Sequence, residues 1–211
     1  MGGRDVTVLD GGMGRELLRI GAPFQQPEWS ALALLDGPDW VVQAHTNFIE
    51  AGAQLITTNS YAIVPFHIGD ERFAARGQEL ADLSGRLART AAAAAASPVL
   101  VAGSLPPLFG SYRPDLFDAA AAPSIIDPLV TGLAPHVDLW LGETLGSIVE
   151  AQTVRDAIDR AGVGARPLWI SFTLDDHHSL ALRSLEPVGD AVRAALDLGA
   201  EAVLFNCCQA E

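Results

Sequence analysis

Cysteine is almost absent from this chain. Its 211 residues include 2 cysteines, Cys207 and Cys208, and the two are adjacent. Neighbouring cysteines seldom bridge, so a disulfide framework is excluded by the count. Basic residues are scarce as well: 13 Lys and Arg stand against 26 Asp and Glu, for a formal charge of −13. A phosphate backbone needs a Lys/Arg surface, so no nucleic-acid partner is expected. No apolar run approaches the ~18 residues of a membrane span. Met1-Gly2-Gly3-Arg4-Asp5 has neither the basic nor the apolar region of a secretory signal, and the cytoplasm is the expected setting. Long polar tracts are missing too, which excludes a disordered chain.

What the chain does have is apolar content: 49% hydrophobic residues, 18% charged, and a mean hydropathy of +0.25. That suffices for one well-buried core and predicts a single domain over residues 1–211. So few charges also predict strands covered on both faces by other layers.

Short apolar runs alternate with longer amphipathic ones. Strands are expected at Val6–Asp10, Gln54–Thr58, Val99–Gly103, Val137–Leu141, Leu168–Phe172 and Glu201–Asn206. Between them the pattern predicts helices over Pro38–Gly52, Glu71–Ala96, Ser124–Leu133, Ser147–Ala161 and Glu186–Leu198. Pro38 suits a first helical turn, Ser147 an N-cap, and Pro128 should interrupt its helix. The six-alanine run Ala91–Ala96 reads as helix interior. Strict alternation implies parallel strands with right-handed crossovers. About six such units fit two architectures: an incomplete (β/α)8 barrel or an open doubly wound parallel sheet.

In both architectures ligands bind beyond the carboxyl ends of the strands. Those ends read Asp10-Gly11-Gly12-Met13-Gly14, Thr57-Thr58-Asn59-Ser60-Tyr61, Gly103-Ser104-Leu105-Pro106-Pro107, Gly142-Glu143-Thr144, Ser171-Phe172-Thr173 and Asn206-Cys207-Cys208. Polar and acidic residues gather there while the strand bodies are apolar. The glycines after Asp10 do not make a dinucleotide fingerprint, because Leu17 stands where the third glycine belongs. Asp10 and Glu143 allow two readings: convergence on one cationic group, such as an ammonium, or separate roles as helix caps or partners of an arginine such as Arg15. Cys207-Cys208 alone is a poor zinc motif, since successive strand residues face opposite ways and a catalytic zinc takes about three protein ligands. Of the five histidines, His45 reads as structural, and His177-His178 as a solvated loop.

As an ordered set over residues 6–208, these strand ends resemble the homocysteine S-methyltransferase family. The carrying segments are Leu9–Leu17, Thr57–Tyr61, Ala102–Pro107, Gly142–Thr144 and Asn206-Cys207. The resemblance implies a (β/α)8 barrel. It also implies methyl transfer from an onium donor, S-methylmethionine or S-adenosylmethionine, to the thiol of homocysteine, giving methionine. It further implies a zinc ion held by three cysteine thiolates, which would deprotonate that thiol. On this resemblance Asp10 and Glu143 hold the amino-acid ammonium, and Gly11 and Gly12 let the substrate approach the backbone. Thr58, Asn59 and Asn206 line the pocket, and Cys207 is the first zinc ligand. The family's other two zinc cysteines, in a Gly-Gly-Cys-Cys-Gly segment, have no counterpart, nor do strands seven and eight. The chain therefore reads as a fragment of a longer polypeptide, with strand edges exposed for self-association. The other readings are a catalytically silent homologue that binds an amino acid or a partner, and a nucleotide-binding oxidoreductase.

Overall fold

A computed structural model of the protein describes residues 6–178 and 180–209. The opening Met1–Asp5, where the sequence shows no secretory signal, lies outside the described residues. Among them, one five-stranded parallel sheet holds β1 (Leu55–Thr57), β2 (Leu100–Leu105), β3 (Leu139–Leu145), β4 (Leu168–Phe172) and β5 (Ala202–Phe205). The strands lie in sequence order, β1-β2-β3-β4-β5. A doubly wound sheet reverses direction at a switch point; an unbroken order with every crossover on one side is the winding of a barrel. The fold is an α/β half-barrel.

Alternation along the strands divides the sheet into two faces. Ile56, Val101, Leu105, Trp140, Ile170 and Phe172 point to the helices and join the main core. Leu55, Ala102, Leu139 and Leu141 point the other way and form a smaller cluster with Leu9, Trp169 and Leu204. That second cluster is the barrel lumen.

The helices are α1 (Met13–Ile20), α2 (Ala31–Asp36), α3 (Pro38–Glu50), α4 (Pro65–Ile68), α5 (Asp70–Ala94), α6 (Ala122–Leu133), α7 (Ile148–Arg160) and α8 (Val188–Asp197). Pro38 does open α3, and the Ser147 side chain caps α7 by accepting from the Glu150 amide. Helix α5 stops at Ala94 instead of running on to Ala96, because Ser97-Pro98 follows and the residue before a proline favours extended backbone. Where α6 crosses α5 the backbones nearly touch: a Cβ on Gly132 would lie 2.5 Å from the Gln78 carbonyl oxygen, so only glycine fits.

Two expectations are corrected. Val6–Asp10 is not a full strand: it pairs through Leu9 with Leu55, flanked by Asp10 N–H to the Leu55 carbonyl at 3.0 Å. It lies on the outer edge of β1, with Val6 and Val8 exposed. Pro128 lies inside a continuous α6, which tolerates it because the carbonyl left without a donor, on Ser124, is at an exposed position. A helix the sequence pattern left unassigned also follows Gly12. Leu17 of α1 is fully buried, so the glycines serve a turn into a packed helix.

Candidate active site at the carboxyl ends of the strands

Strand β3 runs past its expected end to Leu145, and its register with β4 shifts between Gly142 and Leu145. Thr144 there has φ +59. Such an irregularity re-aims side chains. In this stretch Glu143 comes within hydrogen-bond reach of β2: the Ser104 hydroxyl donates to Glu143 Oε2 at 2.6 Å.

Asp10, just beyond the Leu9 bridge, is held by β1. The Thr57 amide donates to its Oδ2 at 2.7 Å and the Thr57 hydroxyl to its Oδ1 at 2.9 Å. Burial pushes the Asp10 carboxyl up to about 7; the Thr57 hydrogen bonds oppose the rise and the charge of Glu143 adds to it. Burial also raises Glu143, against the Ser104 hydrogen bond. Among the described residues neither carboxylate pairs with Arg15 or any other cation. The reading in which each meets its own arginine is set aside.

Behind the carboxylates lies a closed ring of hydrogen bonds. The Ser104 amide donates to Thr58 Oγ1 at 3.0 Å, Thr58 and Ser60 hydroxyls meet at 2.9 Å, and the Ser60 hydroxyl donates to the Ser104 carbonyl at 2.7 Å. Each member polarises the next, which fixes Ser104 and with it Glu143. Thr58 thus supports the rim from behind. Asn59 is also buried; its Nδ2 donates to the Ser30 carbonyl at 3.0 Å and ties down the loop before α2. Thr57 and Ser104, both inside the segments the sequence singled out but not assigned there, supply the hydrogen bonds to the carboxylates, and Asn59 Oδ1 is buried without a partner among the described residues. Gly11 and Gly12 are exposed. A Cβ on Gly11 would meet the Phe48 ring at 3.0 Å, whereas one on Gly12 would only make ordinary contact with the Arg15 side chain at 3.8 Å.

Across the rim, Asn206 follows β5 and is fully engaged. Its Nδ2 donates to Thr144 Oγ1 at 2.8 Å, and its Oδ1 accepts from the Ser171 hydroxyl at 2.8 Å. It positions the next residue, Cys207, whose φ of +53 takes the chain out of strand geometry. The opposite-face argument for Cys207 and Cys208 therefore does not apply. Cys207 is exposed and Cys208 half-buried. The Tyr112 phenol, from the loop after β2, faces Cys207; burial, then the neighbouring thiol, pushes it up to about 12. Arg183, from the loop after β4, lies 5.2 Å from the centre of the Tyr112 ring and pairs with Asp176 at 2.7 Å. His177 and His178 are exposed, as expected for a solvated loop, and His45 is fully buried in α3.

Among the described residues no three His, Cys, Asp or Glu side chains come together as a metal site. A catalytic zinc takes three protein ligands. The side chains present among the described residues do not fit the three-thiolate zinc that the resemblance implies. A groove of about 870 Å³ between α5 and α6, lined by Phe66, Phe73, Leu108 and Ile125 among others, contains none of the residues above.

A parallel half-barrel with paired carboxylates and a cysteine on its carboxyl rim is the frame of a β/α-barrel enzyme. Comparison narrows the class. The sequence profile of the homocysteine S-methyltransferase family matches residues 7–211. The chain is 32% identical to the homocysteine S-methyltransferase of Escherichia coli over 203 residues, covering 84% of this chain and 62% of that one. It is 28% identical to homocysteine S-methyltransferase 3 of Arabidopsis thaliana, covering 88% and 60%. The metallated homocysteine methyltransferase of Escherichia coli superposes with a TM-score of 0.82 at 30% identity, covering 97% of this chain and 75% of that one. The chain belongs to the homocysteine S-methyltransferase family. It spans about 60% of the length of these curated relatives.

Proposed function

We propose that this chain carries the amino-acid-binding part of a homocysteine S-methyltransferase. In that reaction the thiol sulfur of homocysteine attacks the methyl carbon of a sulfonium donor, S-methylmethionine or S-adenosylmethionine. The old carbon–sulfur bond breaks, a new one forms, the thiol proton is lost, and methionine results. The observation that carries the reading is the carboxylate pair: Asp10 and Glu143, both partly withdrawn from water and facing no protein cation among the described residues. Two carboxylates so placed call for a positive ligand, and an amino acid's ammonium supplies it.

The chain's own part is placement. Thr57 and Ser104 orient the carboxylates, these fix the ammonium, and the substrate's far end is left to reach toward Cys207 across the rim. Small-molecule substrates and a cytoplasmic setting belong to the same reading, and a charge of −13 is the argument against a nucleic-acid partner.

A second reading has its own observation. Cys207 is the one thiol at the position of a zinc ligand, and no three-ligand cluster is present among the described residues. That favours a homologue that binds the amino acid without turning it over. The test incubates the chain with homocysteine and each sulfonium donor in turn and measures methionine. Homocysteine binding that is lost in Asp10→Asn is the result expected of the amino-acid-binding part. Methionine formed from either donor would rule out the silent homologue, and no binding at all overturns both readings.

A further inference from the structure

We propose that Arg183, in the loop after β4, is the residue that holds the carboxylate of the sulfonium donor. The proposal rests on the methyl-transfer reading of the rim and adds a second binding point, opposite in charge to Asp10 and Glu143.

The loop that carries Arg183 is fastened to the rim. Leu182 is fully buried, and the Ser184 amide donates to the Gly146 carbonyl at 3.0 Å. The Ser184 hydroxyl donates to Glu186 Oε2 at 2.5 Å, and the same oxygen accepts from the Ile148 amide at the start of α7 at 2.9 Å. Gly146 directly follows β3, so the backbone at Arg183 is fixed at the carboxyl end of the strand that presents Glu143. Asp176 joins the same loop to the segment beyond β5: its Oδ1 accepts from the Gln209 amide at 3.3 Å. The loop therefore spans from the end of β3 to the end of β5. From it the Arg183 guanidinium lies over the Tyr112 ring, 5.2 Å from its centre. Tyr112 follows Ser111, whose hydroxyl meets that of Tyr61 at 2.8 Å, which ties the loop after β2 to the end of β1.

The ion pair with Asp176 is satisfied on one side only. Both Asp176 oxygens are engaged, Oδ2 by Arg183 Nη2 at 2.7 Å and Oδ1 by the Gln209 amide. Arg183, by contrast, has its Nε buried without a partner among the described residues. A guanidinium with donors unspent can take a second anion. Its side chain is only 19% exposed, so a charge-assisted hydrogen bond there counts for more than in open water. A guanidinium pairs with a carboxylate through its planar edge, which stacking on an aromatic ring leaves uncovered.

The donor supplies that anion. Homocysteine's own carboxylate shares a carbon with its ammonium, so it stays beside Asp10 and Glu143 when they hold the ammonium. A sulfonium donor carries its carboxylate at the end of a chain away from the cationic sulfur. The acidic side of the rim repels that carboxylate and Arg183 attracts it, which sets the donor's direction. Arg183 touches the donor through this group alone and takes no part in the bonds that change.

The test is calorimetric titration of the whole chain with two sulfonium probes. L-homoserine is present throughout; it has the ammonium but no sulfur to be methylated. 4-(Dimethylsulfonio)butanoate has a carboxylate and no amine, and butyldimethylsulfonium has neither. The first should bind about tenfold more tightly than the second. Arg183→Gln should bring the two to within about twofold of each other, and Arg183→Lys should keep part of the preference. Asp176→Asn should strengthen binding of the butanoate, because Arg183 loses a competing anion, whereas a mere strut for the loop would weaken it. Equal binding of both probes by the unaltered chain, binding of neither, or a preference that survives Arg183→Gln overturns the proposal. Weaker binding of the butanoate in Asp176→Asn overturns it as well.

L-methionine, titrated alone, separates this from the reading beneath it. Its affinity should hold within about twofold in Arg183→Gln and fall in Asp10→Asn. A fall in Arg183→Gln as large as that of the butanoate would give Arg183 to the amino acid and overturn the donor assignment. An affinity unmoved in Asp10→Asn would overturn the ammonium reading, while the two sulfonium probes still decide the role of Arg183.

Discussion

At the β1–β3 side of the rim, two carboxylates are held from behind by Thr57, Ser104 and the closed ring through Thr58 and Ser60. At the β5 side, Cys207 sits exposed on a left-handed residue, supported by Asn206 and faced by Tyr112 from another loop. The first side assembles from consecutive neighbours in one sheet, so its polar atoms find partners locally. The second has a single thiol where a metal would need three ligands. Under the proposed reading, binding an amine and activating a thiol are thus physically separable.

The sharpest way to break this comparison is to disable each side and measure affinity for L-methionine. Asp10→Asn should weaken binding on the order of a hundredfold, about 2.7 kcal/mol, because it leaves the ammonium half-paired in a desolvated place. Cys207→Ala should change affinity by less than about threefold, since the thiol does not meet the amine. Equal losses in a titration would show that the two sides act as one unit.

The pH dependence of stability gives a smaller contrast. Asp10 has a folded-state value of about 7 against an ordinary 3.8. Between those values the folded chain binds the extra proton, so the stability this group contributes is present at low pH and lost as pH rises through about 7. His45 acts in the opposite sense, since burial lowers it from 6.5 to about 4. Its contribution is present above 6.5 and lost as pH falls toward 4. Between about pH 4 and 6.5 the two slopes oppose each other, so the resistance to urea should be nearly flat there. Asp10→Asn should leave the His45 limb unopposed, so that stability rises with pH over that range by roughly 1–3 kcal/mol, and Cys207→Ala should leave the whole profile in place. A profile that stays flat in Asp10→Asn would assign the opposing slope elsewhere.

The smallest expected signal is metal content. Purified in the presence of zinc and then dialysed, the chain should retain far less than one zinc per molecule, and Cys207→Ala should barely lower it. About one tightly held zinc, lost in that variant, would mean that the thiol side is completed by ligands the described residues do not group together, as through a second copy of the chain.

How much of this was legible in the sequence follows from how local each signal is. Strand β4 was read to the residue, and α3, α7 and α8 to within two residues at each end, because hydrophobic period, proline, serine and glycine act over a few positions. Helix α1 was not foreseen: its start is marked by glycines, and what holds it is the burial of Leu17. The rim residues Asp10, Glu143 and Cys207 were named because each ends an apolar run. The roles of Thr57 and Ser104 were not, since a hydroxyl on a strand looks alike whether it faces a carboxylate or a carbonyl.

The sequence by itself determined a single parallel α/β layer with its chemistry at the carboxyl edge, because an alternating pattern of buried strands and amphipathic helices has few other solutions. Only the tertiary structure decided between barrel and doubly wound sheet, through the unbroken strand order, and brought Asp10 and Glu143 together across three strands. It also gave Thr58 a place in a closed hydrogen-bond ring and tied Asn59 Nδ2 to the Ser30 carbonyl. The reason is the same in each case: strand order, register and hydrogen-bond direction depend on residues far apart in the chain, and local sequence carries no record of who the distant partner is.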